Sequence, residues 1–195
     1  MIDRPDEELM AEAGRGNEEA MATLIRRHQD LVFGTVYRML SGQVADAEDI
    51  AQQVFIKVYR AAPRYRPDAK FTTWLLTICR NCVFTHVKKN RRRAMESLDA
   101  PAPAGMDEME VQHEDHETLR PDDALLQEEM RRAVEEAVAR LPVNQREVLL
   151  HRQYHQLEYE EIARVMKISV SSVKSLLFRA RETLREELKR YLHAT

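Results

Sequence analysis

Apolar residues recur at three- and four-residue spacing through most of this chain, a period that suits helices and not strands. From Asn17 onward Met21, Leu24, Ile25, Leu31, Val32, Val36 and Met39 follow that rule. The break Gly14-Arg15-Gly16 precedes them and Asn17 is a good N-cap, so one long amphipathic helix is expected, ending near Ser41-Gly42. A second helix is expected to start at Asp46 as its cap, with Glu48 and Asp49 in its first turn, where the positive end of the helix dipole favours acids. Its apolar face is Ile50, Val54, Phe55 and Val58. Pro63 and Pro67 enforce a loop. Thr72 is expected to cap a third long helix running toward Asn90, with Phe71 stapled against Leu76.

The pattern lapses between 94 and about 122, where three prolines stand among small and acidic residues without sustained periodicity, the composition of a linker. Helical spacing returns with Leu125, Leu126, Met130, Val134, Val138 and Leu141 and stops at Pro142. Three more helices are expected at roughly 144–154, 159–166 and 170–192. With only 5 glycines and 7 prolines in 195 residues, hairpins are too few for a sandwich or barrel. The reading is an all-α chain of two small helical domains, residues 1–93 and 125–195, joined by a flexible acidic linker over 94–124. A hydrophobic fraction of 44% is too high for a disordered chain, and a charged fraction of 32% too high for a membrane protein. The N-terminus lacks the basic start and apolar core of a signal peptide, and no run approaches the roughly 18 apolar residues of a membrane span. A cytoplasmic protein without membrane insertion is expected. Cys79 and Cys82, too few for a disulfide framework, fit a reducing compartment.

The net charge of −3 conceals a segregation. Arg80, Lys88, Lys89, Arg91, Arg92 and Arg93 put six cations between 80 and 93 with no acid, whereas 94–127 holds ten acids against Arg120 alone. Arg164 to Arg190 is basic again, with eight cations against Glu182, Glu186 and Glu187. Two basic regions flank an acidic middle, so the charge is segregated and not absent.

Residues 159–178, YEEIARVMKISVSSVKSLLF, carry the pattern of a helix-turn-helix. Ala163 is the small residue that lets two helices approach. Ile162, Met166, Ile168, Val173 and Leu176 fall where a shared core needs them, and Ser169 can cap the second helix. Lys167 stands at the turn position where glycine is common. The outward face of the second helix, Val170, Ser171, Ser172, Lys174, Ser175, Phe178 and Arg179, would meet duplex DNA, with Arg181 and Arg185 suited to phosphates. A basic, merely solvated face is the bland alternative.

Taken together, these halves resemble the extracytoplasmic function group of RNA polymerase sigma factors, in the sigma-70 family. Asp46-Ala47-Glu48-Asp49-Ile50-Ala51-Gln52-Gln53-Val54-Phe55 resembles the family's region 2 helix that binds the clamp helices of the polymerase β′ subunit. Phe71-Thr72-Thr73-Trp74-Leu75-Leu76-Thr77-Ile78-Cys79-Arg80-Asn81 resembles its F-x-T-W-L-x-x-I-A-R-N. L-P-x-x-x-R-E-V at 141–148, E-E-I-A at 160–163 and S-V-K-S-x-L-x-R-A-R at 172–181 resemble region 4. Gln53, Cys79, Glu158, Lys167 and Leu176 depart from the family's usual glutamate, alanine, serine cap, glycine and arginine. The resemblance implies a transcription factor that binds core RNA polymerase through Asp46, Glu48, Asp49, Gln52 and Gln53 and the β flap through region 4. It implies minus-35 duplex contact by Ser171, Ser172, Lys174, Ser175, Phe178, Arg179 and Arg181. Melted minus-10 contact falls to Lys70, Phe71, Trp74, Arg80, Asn81 and Lys88. It also implies an anti-sigma factor that restrains the protein until a stress signal arrives.

The chemistry of 65–93 agrees, since aromatics beside cations suit unstacked bases and backbone phosphates. Trp74 and Phe71 also read as core residues. Cys79, Cys82 and His86 form C-x2-C-x3-H on one helix and could share a face, yet a structural zinc site wants a fourth ligand and cysteine is commonly buried, so packing is the expected role. His113, Asp115 and His116 read as a solvated cluster of the linker. No G-x-S-x-G, phosphate-binding glycine loop or HExxH occurs, so no enzyme activity, cofactor or metal is expected. The competing class is a stand-alone regulator that binds DNA through 125–195 without polymerase. A pure protein-interaction module is the third.

Overall fold

The computed structural model describes the backbone of residues 4–96 and 121–194, and the side chains of residues 4–93 and 129–189. Eight α-helices and one 3-10 turn make up the regular structure of the described residues, with no strand among them. The expected contents of the linker between 97 and 120, including His113, Asp115 and His116, lie outside the described residues.

The N-terminal half packs four helices: α1 (Asp6–Gly14), α2 (Glu18–Met39), α3 (Val44–Ala61) and α4 (Phe71–Glu96), with the 3-10 turn Ala62–Arg64 between the last two. Leu9 and Met10 of α1, Leu24, Val32 and Val36 of α2, Ile50, Val54 and Val58 of α3, and Leu75, Cys79 and Val83 of α4 share one core. Asn17 caps α2 as expected, its side chain accepting from the Ala20 amide at 3.1 Å. Two helix starts differ from expectation. α3 begins at Val44 behind Gln43, with no side-chain cap, and Asp46 is the acid of its first turn. α4 begins at Phe71 itself, whose amide donates to the Glu7 carboxylate of α1 at 3.3 Å, so the cap comes from a distant helix and Thr72 sits inside the first turn.

α1 was not foreseen as a helix. It starts behind Pro5, carries Asp6, Glu7 and Glu8 in its first turn, and buries Leu9, Met10 and Ala13. Asp6 ties it to α2 through Arg27 at 2.5 Å and the buried His28 at 2.8 Å. Its last residue lies so close to the 3-10 turn that a Cβ on Gly14 would stand 2.6 Å from the Ala62 carbonyl oxygen.

The C-terminal half comprises α5 (Pro121–Arg140), α6 (Val143–Gln153), α7 (Tyr159–Met166) and α8 (Val170–Ala194). Val148, Leu157, Ile162, Val165, Met166, Val173 and Leu177 form its main core, and Leu141, Leu149 and Ala180 a smaller one that α5 covers. Met130 and Val134, expected on the apolar face of α5, are exposed.

The two halves pack directly on each other. Leu76 of α4 belongs to the core of the C-terminal half, and Leu150 of α6 to that of the N-terminal half. The Arg80 Nε of α4 donates to the Glu147 carboxylate of α6 at 2.6 Å, and Glu147 has no exposed side-chain surface. Arg146 reaches the Met39 carbonyl at 3.4 Å and also bonds the Ser41 hydroxyl. Thr35 of α2 donates its hydroxyl proton to the Leu31 carbonyl at 2.6 Å, so its oxygen accepts from His155 Nε2 at 3.0 Å in the turn after α6. The fully buried ring of His151 lies 5.6 Å from that of His155.

Two predictions follow from these contacts. Gly14→Ala forces α1 off the Ala62 carbonyl and should lower stability by about 1–3 kcal/mol in urea denaturation, the usual cost of overpacking; unchanged stability would mean that α1 can slide. The second concerns pH. Burial, reinforced by His151 beside it and Arg38 of α2, pushes the His155 imidazole down to about 4 from its ordinary 6.5. A depressed histidine leaves the seam at full strength above about pH 6.5 and weakens it as pH falls from there, because the exposed ring takes up the proton first. The radius of gyration by small-angle scattering should be constant from pH 8 to 7 and rise between about 6.5 and 5. His155→Gln should flatten the rise, and a flat native profile would contradict the assignment.

Candidate nucleic-acid interface

Aromatic side chains gather where α4 begins. Tyr65 meets Trp74 edge-on at 4.9 Å and Phe71 at 6.0 Å, and Phe71 lies 5.6 Å from Trp74 and 5.1 Å from His28. These rings have unequal access. Phe71 is only 3% exposed, so its sequence-expected contact with DNA is corrected: the ring is a core residue behind the surface, not part of it. Trp74 is half-buried and lines an open cavity of about 600 Å³ together with Tyr65, Thr73 and Thr77. Lys57, Arg60, Arg64 and Arg66 surround it, with Arg164 of α7 on the remaining wall and Asp68 the one acid. The Tyr65 phenol and the Thr73 hydroxyl are buried without hydrogen-bond partners among the described residues. Burial, and then the carboxylates of Glu7, Asp6 and Asp68, push the Tyr65 phenol up, so it stays protonated as a donor. Stacking faces, hydrogen-bonding hydroxyls and a cationic rim together suit a nucleobase with its phosphate.

Further along α4, Asn81 and Lys88 are exposed, and the guanidinium of Arg80 covers the Phe84 ring at 4.4 Å as well as meeting Glu147. Lys70 forms an ion pair with Glu161 of α7 at 3.0 Å. Of the side chains expected at melted DNA, Trp74, Asn81 and Lys88 face outward or into the cavity, while Arg80 and Lys70 are held by carboxylates of the other half. The cations at 57, 60, 64 and 66 escaped the sequence reading, although Lys57, Arg60 and Arg64 stand at i, i+3 and i+7 and could have been found as one face; Arg164 was counted only within the basic C-terminal region.

The second nucleic-acid surface is the helix-turn-helix of α7 and α8. Ala163 is buried at the crossing, and Lys167 adopts the left-handed conformation at φ 55° and ψ 46° where glycine would be strain-free. Ser169 caps α8 by accepting from the Ser172 amide at 3.2 Å. Glu158 and Glu161 form a capping box at the start of α7, so glutamate serves where serine was expected. The shared core uses Leu177, with Leu176 at its margin, a correction by one residue to the expected pattern. Ser171, Ser172, Lys174, Ser175, Phe178, Arg179 and Arg181 are all exposed, Phe178 by 67%. Ser175 donates its hydroxyl to the Ser171 carbonyl at 3.0 Å, which leaves only its acceptor capacity for a base. Lys174 lies over the Tyr159 ring at 6.0 Å.

On α3, Glu48, Asp49, Gln52 and Gln53 are exposed, whereas Asp46 is half-buried and faces His86 at 3.2 Å. Ile56 and Tyr59 extend this face, 49% and 57% exposed, and neither was among the residues singled out by sequence. Large apolar groups beside acids and amides form a surface fitted to a protein partner. Cys79 and Cys82 are in the core, 0% and 2% exposed, and His86 turns away from them toward Asp46 and Asn90. No group of three or more metal-ligating side chains converges among the described residues, and no helix among them is long and apolar enough to cross a membrane.

Residues 24–93 match the family model for sigma-70 region 2, and residues 131–184 that for sigma-70 region 4. The chain is 33% identical over 184 residues to the RNA polymerase sigma-H factor of Pseudomonas aeruginosa, covering 94% of each chain. It is 32% identical over 184 residues to the ECF RNA polymerase sigma-E factor of Escherichia coli K12, covering 92% of each. The fold resembles that of the sigma factor RpoE from Bartonella quintana, solved with the anti-sigma factor NepR, with a TM-score of 0.68 at 20% identity over 86% of this chain and 96% of that one.

Burial also pushes the Cys79 thiol up, far from the reactive thiolate form. Neither cysteine should react with iodoacetamide in the native protein at neutral pH, and both should react in urea. Native labelling of either, followed by mass spectrometry, would reopen a redox role.

Proposed function

The chain belongs to the extracytoplasmic function sigma factors of the sigma-70 family, and from that premise we propose how its surfaces divide the work of initiation. It is a transcription initiation factor, not an enzyme: it joins core RNA polymerase and directs it to promoters. Residues 1–93 act as region 2, 94–124 as the linker and 125–195 as region 4. Glu48, Asp49, Gln52 and Gln53, extended by Ile56 and Tyr59, dock on the β′ clamp helices, while Asp46 steadies α3 through His86. Region 4 meets the β flap.

The recognition helix α8 reads minus-35 duplex through Lys174 and Phe178, with Arg179 and Arg181 on phosphates and Ser171, Ser172 and Ser175 around them. The cavity beside Trp74 takes an unstacked minus-10 base, with Lys70, Arg80, Asn81 and Lys88 along the strand and Phe71 supporting the wall from within. A flipped base costs a few kcal/mol of unstacking, which stacking and hydrogen bonds in such a pocket offset. Confinement by an anti-sigma factor fits the family, in which RpoE of Bartonella quintana was solved in such a complex. The observation that carries the reading is the pairing, in one chain, of a cation-rimmed aromatic cavity with an exposed recognition face.

In vitro transcription with core polymerase and a genomic promoter library tests it. Specific transcripts should require both protein and core, and a footprint on duplex DNA without core would favour the stand-alone regulator. Asp49→Ala with Gln52→Ala should weaken core binding while helicity stays intact, because Ile50 and Val54 still hold α3. Lys174→Ala should shift preference among minus-35 sequences by about 1–3 kcal/mol per lost base contact. Asn81→Ala should spare closed-complex binding and reduce permanganate reactivity of melted thymines, with partial rescue on a preformed bubble. Equal Asn81→Ala defects on both templates would refute its part in opening.

A further inference from the structure

The loop from Tyr65 to Lys70 runs between the 3-10 turn and the start of α4, and α1 is attached at both of its ends. At one end Gly14 packs so tightly against the turn that a Cβ there would stand 2.6 Å from the Ala62 carbonyl oxygen. At the other, the Glu7 carboxylate accepts from the Phe71 amide at 3.3 Å. The two attachments are two helical turns apart on α1, about 10 Å. Lys70, the residue before Phe71, offers its carbonyl to the Trp74 amide at 3.2 Å but has no side-chain acceptor for the amides of the first turn, so Glu7 serves from outside. The Phe71 ring is held as well. It lies 5.1 Å from the ring of His28, a residue 6% exposed whose Nε2 is 2.8 Å from the Asp6 carboxylate. The same two acids act on the cavity: after burial, Glu7 and then Asp6 push the Tyr65 phenol up. Phe71, Thr73 and Trp74 form the first turn of α4 with Thr72, and Thr73 and Trp74 line the cavity together with Tyr65. Fraying of a turn that has lost its cap would therefore displace the cavity wall before it reached the buried Leu75 and Leu76.

We propose that α1 is a positioning element of the minus-10 pocket: Glu7 and Gly14 hold the two ends of the 65–70 loop at a fixed separation, so that Tyr65, Thr73 and Trp74 stand ready for one unstacked base. This rests on the reading of the cavity beside Trp74 as the base pocket. Glu7 is a positioning residue; it does not line the cavity and acts through the Phe71 amide. Preorganisation of this kind acts on discrimination among bases. A rigid pocket leaves the polar groups of a wrong base unmet, whereas a slack one closes around any base.

The test uses the full chain with core polymerase, on fork-junction DNA built from a promoter of the transcription library. The DNA is duplex through minus-35 and randomised in its single-stranded minus-10 tail, and sequencing of the bound fraction gives a base preference at each tail position. A loss of folded protein scales all sequences alike, so a merely structural role for Glu7 does not move these preferences. Trp74→Leu, at a half-buried site, should flatten the preference at one position and thereby mark the base that enters the cavity. Glu7→Ala should flatten the same position by about fivefold, the factor that loss of an ordinary helix cap represents, and leave the other positions and core affinity unchanged. Glu7→Gln, which keeps an acceptor for the Phe71 amide, should restore the preference. If Glu7→Ala does not fold, Gly14→Ala, which shifts the other end of the loop, carries the test with the same flattening expected. Flattening by Trp74→Leu but not by Glu7→Ala would overturn the role of α1 and leave the pocket standing. Equal flattening at every tail position, or no recovery in Glu7→Gln, would likewise overturn it. No flattening by Trp74→Leu would overturn the pocket reading, and the role of α1 with it.

Discussion

Helix α4 has apolar residues on two sides, and this constraint organises the molecule. Phe71, Leu75, Cys79 and Val83 bury one side in the N-terminal core, and Leu76 projects into the core of the other half. A helix that is wanted by two cores cannot leave one without exposing itself. Four residues beyond Leu76, Arg80 lies on the same seam and meets a carboxylate that has no exposed surface. Desolvation of such a pair roughly cancels its attraction, so the pair contributes less to affinity between the halves than to their alignment. Wetting Leu76 and Leu150 costs about 1.5–3 kcal/mol each. Orphaned Glu147 and His151 atoms return roughly 1–3 kcal/mol apiece when hydrated. These opposing terms are of similar size, which makes the contact specific in geometry and shallow in energy.

Much of the fold is legible in the sequence because its signals are local. Spacing locates α2, α3, α4, α6, α7 and α8 within a few residues. Asn17 and Ser169 cap as their chemistry suggests, and Lys167 takes the left-handed turn where the motif demands one. What the sequence hides is supplied from a distance. The cap of α4 is Glu7, 64 residues away, so a local search selects Thr72 instead. α1 is short and heavily acidic, and its three buried residues are identifiable only once α2 and the 3-10 turn are there to cover them. Phe71 looks alike as a staple, a base contact or core; burial decides, and burial is a tertiary property.

The candidate site divides in the same way. The exposed face of α8 follows from helical geometry once the motif is aligned, with Leu177 replacing Leu176 as the buried neighbour. The cavity beside Trp74 does not, because its cations come from α3, the loop after it and α7, and Arg164 lies 90 residues from Trp74. Charge counting finds the basic run from Lys88 to Arg93 and overlooks this ring, in which each element contributes only one or two charges. The pairing of Arg80 with Glu147 across 67 residues is equally invisible to any local rule.

The exchange of Leu76 and Leu150 between the two cores has a consequence for the protein's life in a crowded solution. Each leucine is wrapped only while the halves touch, so separation uncovers both at once, next to Val148 on one side and Leu75 on the other. A parted chain without a partner is a sticky chain, recognisable to chaperones and proteases by the surfaces they survey. Its residence time in that form is limited by quality control as well as by reclosure. Abundance of the intact factor therefore tracks the supply of partners that can cover those leucines.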